Sequence, residues 1–331
     1  LVPRGAGTSL SGGALPLADA VLLGLGKFNR IHEIDYGNRC VVAQPGVTNL
    51  AITHAVQADG FYYAPDPSSQ IACSVGGNVA ENSGGVHCLK YGLTVNNVLG
   101  VRMVTAAGEI VELGGAVYDN PGPDLLALLC GSEGMLGIVT EVTVALLPSP
   151  ETKTVLLAAF SEVVDAGNAV AAIIAAGIIP AGMEMMDKMA VQAAEAFAKA
   201  GYPLDAEAIL IIELDGADAE LATLDDQVTE LLRSHGAYQI DEAHDASQQA
   251  RLWKGRKSAF PAVGRLSPDY LCMDGTIPRK TLPAVLSEID VISQTFGLAV
   301  ANVFHAADGN LHPLILFDAN VPGQTDKAMA M

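Results

Sequence analysis

Between Leu1 and Pro148 the apolar residues fall into short β-branched runs divided by glycine-bearing turns. Cys40-Val41-Val42-Ala43, Val101-Arg102-Met103-Val104 and Ile138-Val139-Thr140-Glu141-Val142-Thr143-Val144 read as strands, because branched side chains suit a pleated, half-buried surface. Ala107-Gly108, between runs at 101–105 and 109–113, predicts a hairpin. Ile52 and Val56 stand at helical spacing and predict a helix over 48–59; a shorter one is expected over 124–129.

Past Pro148-Ser149-Pro150 the texture changes. A strand over 154–160, an alanine-rich helix from Ser161, a strand near 182–186, a helix over 187–200, a strand over 208–214 and a helix over 217–234 follow in turn. That alternation predicts an α+β fold, an antiparallel sheet with helices on one face. The Pro-Ser-Pro turn divides the chain into expected domains at 1–148 and 149–331.

A chain of 331 residues, 50% of them hydrophobic, can fill cores for two or three such units. With 37 acidic against 18 basic residues the net charge is −19. That field argues against nucleic acid and anionic lipid as partners, though a few cations in one pocket can still hold a small anion at short range. Cys40, Cys73, Cys88, Cys130 and Cys272 are scattered and form no Cys-x-x-Cys pair, so they read as reduced thiols rather than zinc or iron–sulfur ligands. The longest apolar stretch, 169–181, contains Gly177 and Pro180 and is shorter than the roughly 20 residues a spanning helix needs. No basic-then-apolar leader argues for export. Leu1-Val2-Pro3-Arg4-Gly5 resembles a protease-site remnant but runs into a glycine loop without a join, and reads as native. Asp326-Lys327-Ala328-Met329-Ala330 looks like the start of a helix, which predicts a chain cut short of its complete fold.

Four glycine-bearing segments carry the strongest chemical signal. The first is Arg4-Gly5-Ala6-Gly7-Thr8-Ser9-Leu10-Ser11-Gly12-Gly13. Glycines permit positive φ and close approach, so successive N–H groups can satisfy phosphate oxygens. The Rossmann fingerprint is not met, since Leu10 stands where it needs glycine. The second runs Pro65-Asp66-Pro67-Ser68-Ser69-Gln70, then Ser74-Val75-Gly76-Gly77-Asn78-Val79-Ala80-Glu81-Asn82-Ser83-Gly84-Gly85. One reading is a Gly/Ser turn between strands. The other is that two Gly-Gly pairs leave a void which a packed core would not tolerate and a flat ring would fill. The third is Lys90-Tyr91-Gly92-Leu93-Thr94, and the fourth Gly131-Ser132-Glu133-Gly134-Met135-Leu136-Gly137-Ile138-Val139-Thr140-Glu141.

In this order the segments resemble the vanillyl-alcohol oxidase and para-cresol methylhydroxylase family, with its two-lobed FAD-binding domain and a ferredoxin-like α+β cap domain. Within it they are most similar to the branch of the FAD-linked glycolate oxidase subunit, D-lactate dehydrogenase and D-2-hydroxyglutarate dehydrogenase. The resemblance spans essentially the whole chain and implies a fragment lacking both ends. It also implies FAD, with Gly5, Ala6, Gly7, Thr8, Ser9 and Gly12 around the pyrophosphate. Pro65, Asp66, Ser69, Val75, Gly76, Gly77 and Asn78 would line the path from adenine to isoalloxazine, with Asn82, Ser83, Gly84, Gly85 and Tyr91. Glu133, Gly134, Gly137, Ile138 and Val139 would close over the cofactor. Some relatives tether the flavin through His or Cys, and His87 and Cys88 stand near the ring segment, but in this branch the cofactor is expected to be non-covalent.

Phe304-His305-Ala306-Ala307-Asp308-Gly309-Asn310-Leu311-His312-Pro313 sets two histidines around an Asp-Gly turn, which can bring both imidazoles to one point. The plain reading is a hairpin with two incidental histidines; the chemical one is a divalent ion, zinc or else manganese or iron. Arg251-Leu252-Trp253-Lys254-Gly255-Arg256-Lys257 is the one strongly basic cluster. It reads either as a solvated helix face or as a substrate grip, Arg256 clamping a carboxylate with its bidentate fork while Lys254 or Lys257 adds charge. The resemblance implies the chemical reading in both places, with an acidic third metal ligand beyond Met331. Where the branch acting on 2-hydroxyglutarate carries Lys before its Tyr-Asp, this chain has Cys272-Met273-Asp274, which favours a short monocarboxylate.

The expected reaction is therefore oxidation of a short 2-hydroxy acid, glycolate to glyoxylate, with D-lactate as the alternative. Arg256 holds the carboxylate, a metal on His305 and His312 lowers the pKa of the hydroxyl, and hydride passes from the α-carbon to flavin N5. No cysteine cluster can carry electrons onward, so companion flavin and iron–sulfur subunits are implied. The chain would then act in the cytoplasm or, through those subunits, peripherally at the inner membrane. A flavin-binding subunit without chemistry needs neither the His pair nor Arg256, and non-redox flavin catalysis as in ether-lipid synthesis needs a phosphate pocket the sequence does not offer.

Overall fold

In the computed structural model, which describes residues 1–9, 11–118, 121–243 and 245–331, the β-branched runs pair as their alternation demands. Leu10, where the Rossmann fingerprint fails, lies outside the described residues. Contacts divide the chain into two units, Leu1–Ser149 and Pro150–Met331.

In the first unit Val2–Arg4 (β1) runs parallel to Leu22–Gly24 (β2). Ile31–Asp35 (β3), Cys40–Ala43 (β4), Val98–Val104 (β6), Ile110–Gly114 (β7) and Ile138–Ala145 (β8) form an antiparallel sheet in the order β3-β4-β8-β6-β7, while Phe61–Tyr62 (β5) pairs with Leu147–Pro148 (β9). The expected hairpin joins β6 to β7, Gly108 taking φ +81 in its turn. Val41, Val101, Val142 and Val144 of the sheet pack with Ile52 and Val56 of Asn49–Val56 (α1) and with Val75 and Val79 of Val75–Glu81 (α2). Each such burial contributes about 1.5–3 kcal/mol. The second glycine segment is thus helical where a turn was one reading. Ser74 caps α2 by accepting from Gly77 N at 3.3 Å, and Gly76 lies so close to Pro45 that a Cβ there would stand 2.5 Å from the proline Cβ. Short helices at Cys88–Tyr91 (α3), Thr94–Asn97 (α4) and Leu125–Leu129 (α5) complete this unit.

In the second unit Thr152–Phe160 (β10), Gly182–Asp187 (β11), Ala208–Gly216 (β12) and Ala237–Ala243 (β13) lie in the order β13-β10-β12-β11, all neighbours antiparallel. Val163–Ala175 (α6) and Asp218–Ser234 (α8) provide the crossovers, giving the split βαβ layer of a ferredoxin-like fold. Val300–Phe304 (β16), Pro313–Phe317 (β18) and Asp269–Cys272 (β14) extend the sheet beyond β11, and Gly275–Thr276 (β15) pairs with Asn310–Leu311 (β17). Every residue of β12 from Ala208 to Asp215 is buried, so the sheet needs cover on both faces. Two helix groups supply it: α6, α8 and Leu282–Phe296 (α11) in one, Lys188–Ala198 (α7), Ala246–Lys257 (α9) and Ala259–Val263 (α10) in the other. The expectation of helices on one face alone does not hold. Asp187, expected inside α7, caps it instead, Oδ1 accepting from Ala190 N at 2.9 Å and Oδ2 from Asn302 N at 2.8 Å. Gln324–Ala330 (α12) is the last element, and no described helix is long and apolar enough to cross a membrane.

Candidate functional site

In the first unit the four glycine segments lie against one another. The Ser74 side chain occupies the place a Cβ on Gly5 would need, so the first loop rests on the head of α2. Ser11 Oγ donates to Glu81 Oε2 at 3.4 Å, at the helix's other end. The fourth segment hangs on the same helix, with Gly131 N donating to Val79 O at 2.9 Å and Glu133 N to Ala80 O at 2.8 Å. A Cβ on Gly134 would lie 3.4 Å from Pro3. The third joins through Thr94 N to Ser83 O at 3.1 Å, next to the bond from Val95 N to Asn82 Oδ1 at 2.9 Å. Asn82 and Glu133 hold left-handed backbone at φ 49 and 52, an uncommon state outside glycine that clusters at ligand clamps.

The individual residues offer different things to a ligand. Ala6, Gly7 and Thr8 are exposed, and Gly12, at φ +81, has open space on its Cβ side. Ser9 Oγ accepts from Ser11 N at 3.2 Å. Gly76, Gly84 and Gly85 are not voids: they make room for Pro45, for Cys88 and Leu93, and for the Asp66 backbone respectively. Gly137 likewise backs onto Met103 and Val104, leading into Ile138 at the start of β8. Val75 and Val139 turn their side chains into the apolar core and have only backbone to give. Asn78 is fixed by Asn49, whose Nδ2 donates to Asn78 Oδ1 at 3.1 Å and to Pro65 O at 2.9 Å. Asp66 Oδ2 lies 3.0 Å from His87 Nδ1, Cys88 Sγ accepts from Gly85 N at 2.9 Å, Ser69 O accepts from Cys73 N at 2.8 Å, and Tyr91 O accepts from Asn97 Nδ2 at 2.9 Å. A flavin dinucleotide fits such a cradle. Ser132 Oγ is buried with no hydrogen-bond partner among the described residues, and Ile71 and Met135, 76% and 80% exposed, are apolar surface for a flat ring.

In the second unit strand register does the assembling. Met185 pairs with Phe304 and Met186 with Val303, so the next step along β11 and β16 sets Glu184 opposite His305. Glu184 Oε1 lies 2.7 Å from His305 Nδ1, and Oε2 lies 2.5 Å from Arg256 Nη2. Arg256 reaches this point from α9, whose close approach depends on Gly255: a Cβ there would sit 2.7 Å from that of Ala200. The Asp308-Gly309 turn, with Gly309 at φ +79, returns the chain so that the imidazoles of His305 and His312 stand 5.2 Å apart between centroids at 86°. His312 Nδ1 is 3.5 Å from Asp274 Oδ1, and its ring is 5.8 Å from that of Phe260.

Arg256 and Glu184 are 2% and 1% exposed, so the electrostatics are those of an interior. Burial alone would push the Glu184 carboxyl up, but Arg256 and then His305 outweigh it and hold it below its ordinary value. Burial would lower His305, yet Glu184 raises it. At His312 burial and the neighbouring His305 act together, and it falls to about 4 despite Asp274. One imidazole therefore favours its proton while the other keeps a lone pair. Arg256 Nε is buried without a hydrogen bond among the described residues.

Of the three residues singled out from sequence, Arg256 and His305 thus meet on one carboxylate, and His312 lies against the His305 ring. Lys254 is exposed and stays apart, and Lys257 is half-buried. Glu184 is the residue sequence reasoning missed; its one signal is a carboxylate amid Gly182-Met183-Glu184-Met185-Met186. Among the described residues no set of three His, Cys, Asp or Glu could hold a metal ion, so the two imidazoles are an incomplete ligand set.

Residues 149–331 match the family of FAD linked oxidases, C-terminal domain, and residues 1–114 match the FAD binding domain. The chain is 59% identical over 328 residues to glycolate oxidase subunit GlcD of Escherichia coli (strain K12), covering 99% of this chain and 66% of that protein. It is 40% identical over 319 residues to the GlcD subunit of Bacillus subtilis (strain 168), covering 96% and 68%. It is 32% identical over 316 residues to a D-lactate dehydrogenase of Archaeoglobus fulgidus, covering 94% and 69%. The chain thus spans 66–69% of the length of these relatives. Among solved structures, alkyldihydroxyacetonephosphate synthase superposes with a TM-score of 0.80 at 18% identity, covering 99% of this chain and 68% of that one. p-Cresol methylhydroxylase with substrate bound gives 0.73 at 17%, covering 93% and 68%. At such identities the likeness is one of fold.

Proposed function

The chain belongs to the family of FAD linked oxidases, and from that premise we propose that it oxidises a short 2-hydroxy acid, glycolate to glyoxylate, with FAD as electron acceptor. The first unit is the FAD-binding domain and the second the substrate domain. The observation that carries the reading is the run Arg256–Glu184–His305 with His312 beside it, which sets a buried guanidinium near two imidazoles. The substrate carboxylate binds Arg256 through the unused Nε donor, and the hydroxyl lies toward His305 and His312. Removing the hydroxyl proton raises electron density at the α-carbon and favours loss of its hydrogen as hydride. Bound FAD supplies the two-electron acceptor for that loss. His305 and His312 would hold a divalent ion, zinc, manganese or iron, whose Lewis acidity would favour the deprotonated hydroxyl; the set would need a third, acidic ligand. The five cysteines form no disulfide and are too dispersed for a cluster, so electrons leave through companion flavin and iron–sulfur subunits, in the cytoplasm or at the inner membrane.

D-lactate is the second substrate reading, supported by the Archaeoglobus relative. The full-length protein should be yellow with bound FAD, and should reduce a dye acceptor with glycolate faster than with D-lactate. Failure to take up flavin removes the proposal, and the reverse substrate order transfers it to D-lactate.

A further inference from the structure

We propose that Glu184 is a positioning residue that locks the carboxylate anchor and the hydroxyl-side imidazole to each other, an inference that rests on the function proposed above. Glu184 has two oxygens and two partners. An ionised carboxylate can only accept, so Oε1, 2.7 Å from His305 Nδ1, places a proton on that nitrogen, and whenever the ring is neutral its lone pair stands on Nε2. That lone pair is the one a metal ion or a hydroxyl proton needs. Oε2, at 2.5 Å, compensates Arg256 and lets a guanidinium stay 2% exposed. A 2-hydroxy acid carries its carboxylate and its hydroxyl on adjacent carbons. The groups that receive them must therefore keep one fixed separation, here set by the width of a single carboxyl group on a register-locked strand pair instead of by loops. Glu184 itself reaches neither group of the substrate; it acts through its neighbours.

The test uses the full-length, flavin-loaded protein and separates the two halves of the role. Acetate, a carboxylate without the 2-hydroxyl, probes Arg256 alone as a competitive inhibitor. In Glu184→Gln the guanidinium loses its anionic competitor, so the acetate inhibition constant is expected to stay level or fall. His305 loses its charge-assisted bond, so kcat and divalent-metal affinity are each expected to drop about 10–100-fold. A kcat within threefold of the parent overturns the role, and so does a parallel loss of kcat and acetate binding, which is what a merely structural residue gives. Should the glutamine variant not fold, Glu184→Asp keeps the buried charge that compensates Arg256 but shortens the arm, so that one carboxyl can no longer hold both partners at 2.5 and 2.7 Å. It should lower kcat with acetate binding held, and any other pattern overturns the proposal. Arg256→Ala is the control for the underlying reading: if acetate binds it as before, the substrate assignment fails, whatever Glu184 does.

Discussion

Glu184 and His305 face each other across neighbouring strands, Oε1 to Nδ1 at 2.7 Å, while Arg256 closes on the other oxygen of the same carboxylate at 2.5 Å. The polar groups of this site form one connected chain around two almost fully buried charges. Cutting any link leaves the next one buried and uncompensated, which sets the scale of what substitutions should do.

Arg256→Ala should lower stability by about 3–5 kcal/mol, because Glu184 is left as a lone buried charge. It should also raise KM for glycolate about ten- to a hundredfold, the worth of one charge-assisted bond. Arg256→Lys keeps the charge without the fork, so it should recover stability more than KM. Urea titration and steady-state kinetics on the two variants read both quantities, and an unchanged KM in the folded alanine variant removes the anchor.

Replacing His305 and His312 together by alanine should abolish divalent-metal binding to the full-length protein. Elemental analysis after dialysis against a chelator-free buffer measures it. Equal metal content in parent and variant would place any ion elsewhere.

Stability should fall as pH drops from 6.5 toward 4, with His312 as one cause. Its folded value is depressed from 6.5 to about 4, so its contribution is complete above 6.5 and is lost as pH falls through the folded value. One pKa unit corresponds to about 1.4 kcal/mol. Urea midpoints measured from pH 4 to 7 should therefore slope less in His312→Gln than in the parent; identical slopes refute the assignment.

Asp187→Ala removes the cap of α7 and strands both donors of Asn302, which Oδ2 receives at 2.8 and 2.9 Å. A lost cap costs about 0.5–2 kcal/mol, and the unpaired donors push the total past the upper end of that range. Chemical denaturation measures the loss, which should come without a change in KM because the Asp187 carboxylate is bonded to Ala190 and Asn302, not to the site residues.

Much of the fold was legible because it follows from local pattern. The β6–β7 hairpin is written in two branched runs around Ala107-Gly108, and β10 and β12 in the apolar runs 155–160 and 208–212. What was not legible depends on partners distant in sequence. α2 contains a Gly-Gly pair that lowers helix propensity, and it forms because Ser74 caps it and Pro45 requires a residue without Cβ beside it. The second helical layer was signalled by the apolar run 208–212 of β12, since alternation is lost when both faces are covered. In the candidate site Arg256, His305 and His312 stood out by residue type and spacing. Glu184 did not, because only the pairing of β11 with β16 turns an isolated carboxylate among methionines into the partner of both.

Gly76, Gly84 and Gly85 shape the proposed flavin cradle through main chain pressed on neighbouring atoms: Pro45, Cys88 with Leu93, and Asp66. A mould of that kind tolerates change differently from a polar pocket, since one added methyl group displaces a whole segment while every hydrogen-bonding group stays in place. A saturation mutagenesis map of this half of the protein would therefore show its deepest losses at positions that carry no functional group.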